Sequence, residues 1–275
     1  MRWILPAVGL ALFSVSLYGQ QRPFRTDDAE LLDTGQVRAS IGVEFLQAQR
    51  LSLPGLKGDL TRLGVTSIHV GVGEYAEFQI SGVMQDVFTV SSRTEQPPIP
   101  ARFDGNTTTD FGDLVLGTKL KLAGEKGARP AIAFKFAVQL PNASQDSGLG
   151  TDQTAFFSSL LFKKSLWRAQ LLADLGIAIL DSPVLQGTQT DPFTYGLAAI
   201  VPVHRSINLV AEVSGRQGPP RRVGNENKSQ TRLGLQFRAG GVRWDLAALA
   251  GLMPYDPKSG IIVGATYEFQ AFQRD

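Results

Sequence analysis

His69 and His204 are the only histidines in a chain of 275 residues that contains no cysteine. That composition removes thiolate metal sites, disulfides and cysteine nucleophiles, and leaves two distant imidazoles as candidates for metal ligation or general-base work. Ser67 stands two residues before His69, so on a strand the two side chains share a face, and a serine–histidine hydrolase has to be weighed. No GxSxG elbow accompanies the pair and no acidic residue can be assigned to orient the imidazole, so the catalytic signal is weak. His204 lies in the turn Pro202-Val203-His204-Arg205 and reads as a surface residue. Gly71-Val72-Gly73-Glu74-Tyr75-Ala76 fits the loose GxGxxA nucleotide pattern, which needs a helix behind it to hold a pyrophosphate. Glu77 to Ser81 alternates as a strand instead, so a hairpin turn is expected there and no cofactor.

The larger chemical set is one of charges that share a parity. Glu44, Asp113, Asp174, Glu212, Asp245 and Glu268 fall on the same strand faces as Arg38, Lys119, Lys121, Lys135, Lys163, Arg232, Arg238 and Arg243, with His69 among them. Two readings stand side by side: a charged pore lining that sets selectivity, or ion pairs that fill and stiffen a narrow interior. The near balance of signs argues against strong selectivity for either ion type. Net charge is +2 with no block of like charge, so nucleic acid is not an expected partner.

The elements that must carry these residues alternate with period two. In Asp110–Pro141, Leu114, Leu116, Leu120 and Leu122 form one row and Ile132, Phe134, Phe136, Val138 and Leu140 another, with Lys119, Lys121 and Lys135 on the opposite faces. Twelve such strands are expected, at 37–47, 62–72, 77–88, 112–122, 131–140, 154–163, 168–180, 194–201, 206–214, 229–238, 242–251 and 260–269. Their connections alternate long (48–61, 89–111, 141–153, 181–193, 215–228) and short, which is the arrangement of an antiparallel up-and-down barrel in the outer membrane. A lysine on the lipid side near the midplane would cost ~2–4 kcal/mol, so the charged parity is assigned to the lumen. Three sequons, at Asn106, Asn142 and Asn227, then mark solvated outer loops.

Gly240-Gly241 suits a two-residue primed turn. That register sets Phe237 opposite Trp244 on the lipid face, with Tyr267 and Phe269 nearby as parts of an aromatic girdle. It also sets Arg238 opposite Arg243, with Glu268 the expected compensating partner. In 62–72 the apolar parity changes between Leu63 and Ile68, which requires a bulge near Thr66–Ser67. At the N-terminus, Arg2, an apolar run from Trp3 to Phe13 and then small residues have the layout of a signal peptide, expected over 1–19. Residues 20–36 are expected as a polar periplasmic lead-in, and 37–275 as the barrel.

The run Gly112-Asp113-Leu114-Val115-Leu116-Gly117-Thr118-Lys119, then Gln139-Leu140-Pro141, then Ser147-Gly148-Leu149-Gly150-Thr151, resembles the outer-membrane family named for the MetA pathway of phenol degradation. Thr26-Asp27-Asp28-Ala29, Gly35 and Glu44-Phe45 are similar too, and the likeness is clearest over 22–180. Pro141-Asn142-Ala143 departs from the family's Pro-Thr-Gly, and Gln273-Arg274-Asp275 after Phe272 departs from the usual terminal aromatic. The resemblance implies passage of small, aromatic or apolar, compounds. The expected protein is therefore an outer-membrane barrel of a bacterial cell, passive and non-enzymatic. Its expected partners are outer-membrane lipid, a small solute and the barrel-assembly machinery. A Ser67/His69 hydrolase and a non-conducting structural or adhesive barrel are the alternatives.

Overall fold

The computed structural model describes residues 23–219 and 223–272. The expected signal peptide and the terminal Gln273-Arg274-Asp275 lie outside the described residues. Twelve long antiparallel strands close into a barrel: β1 (Gln36–Leu51), β2 (Leu56–Gly71), β3 (Ala76–Arg93), β5 (Leu114–Ala123), β6 (Ala131–Leu140), β7 (Ala155–Leu166), β8 (Ala169–Asp181), β10 (Phe193–His204), β11 (Ile207–Gln217), β12 (Lys228–Ala239), β13 (Val242–Gly251) and β14 (Ser259–Gln270). The ring is completed where β1 pairs with β14 from Gln36↔Gln270 to Gln47↔Ser259. Two short pieces, β4 (Thr107–Asp110) and β9 (Gln189–Thr190), extend the sheet at the long-loop rim by pairing with β3 and β8.

Closure leaves no strand edge, so every central backbone amide has a partner on the next strand, which is what a hydrocarbon environment demands. The outward rows are apolar and exposed: Leu116, Leu120 and Phe136 on β5–β6, Leu171, Leu175 and Ile177 on β8. No helix of the described residues is long and apolar enough to cross a membrane. The strands supply that surface instead. Most of them run 10–13 residues, close to what a tilted strand needs to span the core.

β1, β2 and β3 are longer, at 16, 16 and 18 residues, and stand above the others at the long-loop end. The connection expected as a long loop over 48–61 is therefore a continued ladder closed by a tight turn at 52–55. Gln49↔Gly58 and Leu51↔Leu56 pair above a register shift at Leu46/Gln49. Ala48 takes a positive φ of 52° at that shift. The bulge expected near Thr66–Ser67 falls between Leu63 and Ser67. Opposite Ser40–Val43, β2 carries one extra residue there, and Gly64 adopts φ 61°.

Candidate functional site

The short-turn rim carries the girdle residues. Gly240 and Gly241 have φ 61° and 78°, as a type I′ turn requires. Phe237 faces Trp244 across β12–β13, with ring centroids 6.5 Å apart. Tyr267 stacks on Phe269 at 5.8 Å, and all four rings are exposed. Arg238 and Arg243 are directly opposite. The compensation differs from the expected one: Arg243 turns to Asp245 at 3.5 Å and Thr266 at 3.1 Å, while Glu268 binds Arg38 at 2.6 Å. The reason is register, because Arg38 is the direct partner of Glu268 across β1–β14. Arg238 and Lys121 share the inward parity but sit exposed at this rim.

Deeper in, the barrel is crossed by its own N-terminal segment. Residues 23–35, expected as a periplasmic lead-in, lie inside the lumen and reach from the β1–β2 wall to the β10–β12 wall. Gly35, at φ 79°, starts the turn inward by donating to the Gly71 carbonyl at 2.8 Å. Ala29 and Leu31 then pack on Ala131, Ala133 and Leu161, where small inward residues on β6 leave room for a second chain. Phe24 ends the segment against Leu172, Ala198, Ile200 and Val210. Gly196 makes space as well, since a Cβ there would collide with Thr26 Oγ1.

Ion pairs fix the segment at one wall, and hydrogen bonds to a buried carboxylate fix it at the other. Lys119 and Lys135 stand directly opposite each other on β5 and β6, a like-charge pair. Asp27 sits between them, 3.5 Å from Lys119 Nζ and 2.9 Å from Lys135 Nζ, and accepts from Gln79 Nε2 at 3.0 Å. Burial alone would raise the Asp27 carboxyl, but Lys119 and Lys135 outweigh it and hold it below the usual carboxylate range. Lys119 also reaches Glu77 at 3.1 Å and donates to the carbonyls of Asp28 and Glu30 at 3.0 and 2.9 Å. Lys163 holds Asp28 at 3.0 Å and Glu30. On the far wall Glu212 accepts from the Thr26 amide and hydroxyl, both at 2.6 Å, and from Arg232 at 3.1 Å.

The same network takes up the catalytic candidates. His69 Nδ1 lies 3.0 Å from Glu77, which also accepts from the Leu32 amide at 2.9 Å, and the imidazole is buried. Ser67 shares a 2.5 Å hydrogen bond with Ser40. Among the described residues no hydrogen bond joins Ser67 to His69, so the geometry holds no nucleophile–base pair.

Above the segment, toward the long loops, the lumen opens into a cavity of about 540 Å³ whose floor is Pro23–Thr26. Glu44, Asp113, Lys135, Asp174 and Arg232, all expected in the lumen, line it. Arg62 bridges Glu44 and Asp86 at 3.5 and 3.1 Å. Asp113 is turned to the loop, accepting from Gln139 and from the Asn142 and Ala143 amides. A second space of about 320 Å³ lies on the short-turn side, lined by Glu30–Thr34 and Lys121. The two cavities share no lining residue, and the segment is the partition between them.

Sequence reasoning missed Arg25, Asp27, Asp28, Glu30, Glu77, Arg62, Arg216 and Lys228. One signal was available: lysines on three adjacent strands, Lys119, Lys135 and Lys163, needed carboxylates that those strands do not provide at that level. Asp27-Asp28, already noted for its likeness to a family motif, is where they come from.

No family model and no curated protein matches the chain. Among solved structures, an outer membrane channel from Pseudomonas putida F1 is similar with a TM-score of 0.61 at 15% identity, over 88% of this chain and 98% of that one. The translocator domain of the autotransporter NalP from Neisseria meningitidis is similar with a TM-score of 0.48 at 12% identity, over 86% of this chain and 90% of that one. The closed ring and its apolar exterior define the class, and the first likeness shares the fold: the chain is a bacterial outer-membrane β-barrel.

Proposed function

We propose that the protein is a passive outer-membrane channel for small solutes, held closed at rest by residues 23–35. The observation that carries this reading is the polar cavity of about 540 Å³, which ends on a docked segment of the chain rather than on a packed core. A barrel that served only as a wall would gain more from filling its interior with interlocking side chains. The similar Pseudomonas putida protein is itself an outer membrane channel, which supports the same reading. The family resemblance around Asp113–Lys119 and Asp27-Asp28 favours small aromatic or apolar compounds as cargo. Outer-membrane lipid surrounds the barrel, and the barrel-assembly machinery inserts it.

Liposome swelling tests the proposal. Vesicles holding the full barrel should swell in small sugars and amino acids faster than empty ones, with a cut-off by solute size. Swelling at the rate of empty vesicles for every solute, even after residues 24–33 are removed, would contradict it. One observation favours a second reading, a barrel that stays closed: the partition is tied by ion pairs at one wall and by hydrogen bonds to the Glu212 carboxylate at the other. Swelling that appears only after the deletion would identify that case.

A further inference from the structure

Among the described residues three pairs of cations stand directly opposite one another on inward strand faces, and two of them are compensated. Lys119 and Lys135 receive Asp27 between them, and Arg243, opposite Arg238, turns to Asp245. The third pair is Arg216 on β11 and Lys228 on β12, which face each other in register and both line the cavity. Direct cross-strand partners lie only ~5 Å apart at their Cα atoms, so two cations there repel unless an anion joins them.

Nothing in the described protein joins them. Arg216 is tied through Nε alone, to the Glu226 carbonyl oxygen at 2.9 Å. Lys228 makes neither a hydrogen bond nor an ion pair through its ammonium among the described residues. The carboxylates that act on both are Glu226 and Asp256, and neither comes within ion-pair distance. Both are engaged elsewhere: Glu226 accepts from the Gly224 amide at 2.9 Å, and Asp256 from the Ser229 amide at 2.8 Å and Gln230 Nε2 at 3.1 Å. Beside the pair, the Ser214 hydroxyl is buried without a partner and belongs to the same cavity wall.

The rest of the lining describes the ligand. Of the cations that line this cavity, Arg62, Lys135 and Arg232 are held by Asp86, Asp27 and Glu212, whereas no carboxylate comes within ion-pair distance of Arg216 or Lys228, so the attraction for an anion is concentrated at this pair. Among its polar groups the wall also carries apolar side chains, Phe24, Phe157, Val83, Val115 and Ile262. We infer that Arg216 and Lys228 form a binding site in the outer half of the lumen for a small carboxylate with an apolar body. The carboxylate stands between Arg216 and Lys228 as Asp27 stands between Lys119 and Lys135, and the body rests on those apolar side chains. This deepens the solute-passage reading by naming the class of solute.

Benzoate is a suitable probe, with benzyl alcohol as its neutral counterpart. The full barrel folded in detergent should bind benzoate saturably by calorimetric titration, with benzyl alcohol at least about tenfold weaker because it cannot make charge-assisted bonds. Arg216→Gln and Lys228→Gln should each weaken benzoate at least about tenfold, while Lys228→Arg retains it. Both side chains are part-exposed, and a shift in gel migration on boiling confirms that each variant is still a folded barrel. Absence of saturable benzoate binding, equal binding of benzyl alcohol, or unchanged affinity in both Gln variants would overturn the inference. The titration involves no conduction. A barrel that conducts without binding benzoate fails only this inference, and one that binds without conducting fails only the proposed function.

Discussion

Lys119 is fully buried and surrounded by four oxygen acceptors, two of them carboxylates and two of them main-chain carbonyls of the segment inside the barrel. Three of the four belong to that segment and only Glu77 to the wall, so most of its compensation is lost when the segment leaves, and it couples the barrel wall to the partition. Removing one member of a buried pair leaves the others uncompensated, at a cost of about 3–5 kcal/mol. Lys119→Met is therefore expected to release the segment, read as new protease cleavage within 23–35 while the barrel itself stays intact. Cleavage at the wild-type rate would show that Lys119 does not hold it. Gly196→Val tests the opposite wall through size alone, since its Cβ meets Thr26 Oγ1. It should raise accessibility at Thr26 without altering any charge. If both variants leave the segment protected, docking rests on the apolar contacts of Phe24, Ala29 and Leu31 instead.

At the scale of elements, strands and segment follow different rules, and that decides how much the sequence reveals. A strand with one lipid face writes its position as a period of two, and β6 was expected over 131–140, which is where it lies. The Phe237↔Trp244 register followed from Gly240-Gly241 for the same reason: turn chemistry is local. Above the membrane the constraint lapses. The upper parts of β1–β3 carry polar residues on both faces and shift register at Ala48 and Gly58, so they looked like loop. The segment 23–35 has no period, and its partners are far away in sequence, among them Lys119 at 92 residues and Glu212 at 187. Only the surplus of lysines on β5–β7 pointed to it. As an element it is separable from the ring, because the strands pair without it. Deleting 24–33 should leave a barrel whose gel migration still shifts on boiling. Loss of that shift would make the segment a requirement for folding rather than a partition.

In the proposed channel as a whole, a closed apolar ring surrounds a polar path interrupted once, by the chain's own N-terminal segment. The two cavities on either side of it, of about 540 and 320 Å³, become one when it leaves. Planar-bilayer recording of the full barrel beside the 24–33 deletion tests this most directly. The full barrel should show brief, small openings against a closed baseline. The deletion should show a steady conductance several times larger. A deletion barrel that is folded yet as silent as an empty bilayer would contradict the account.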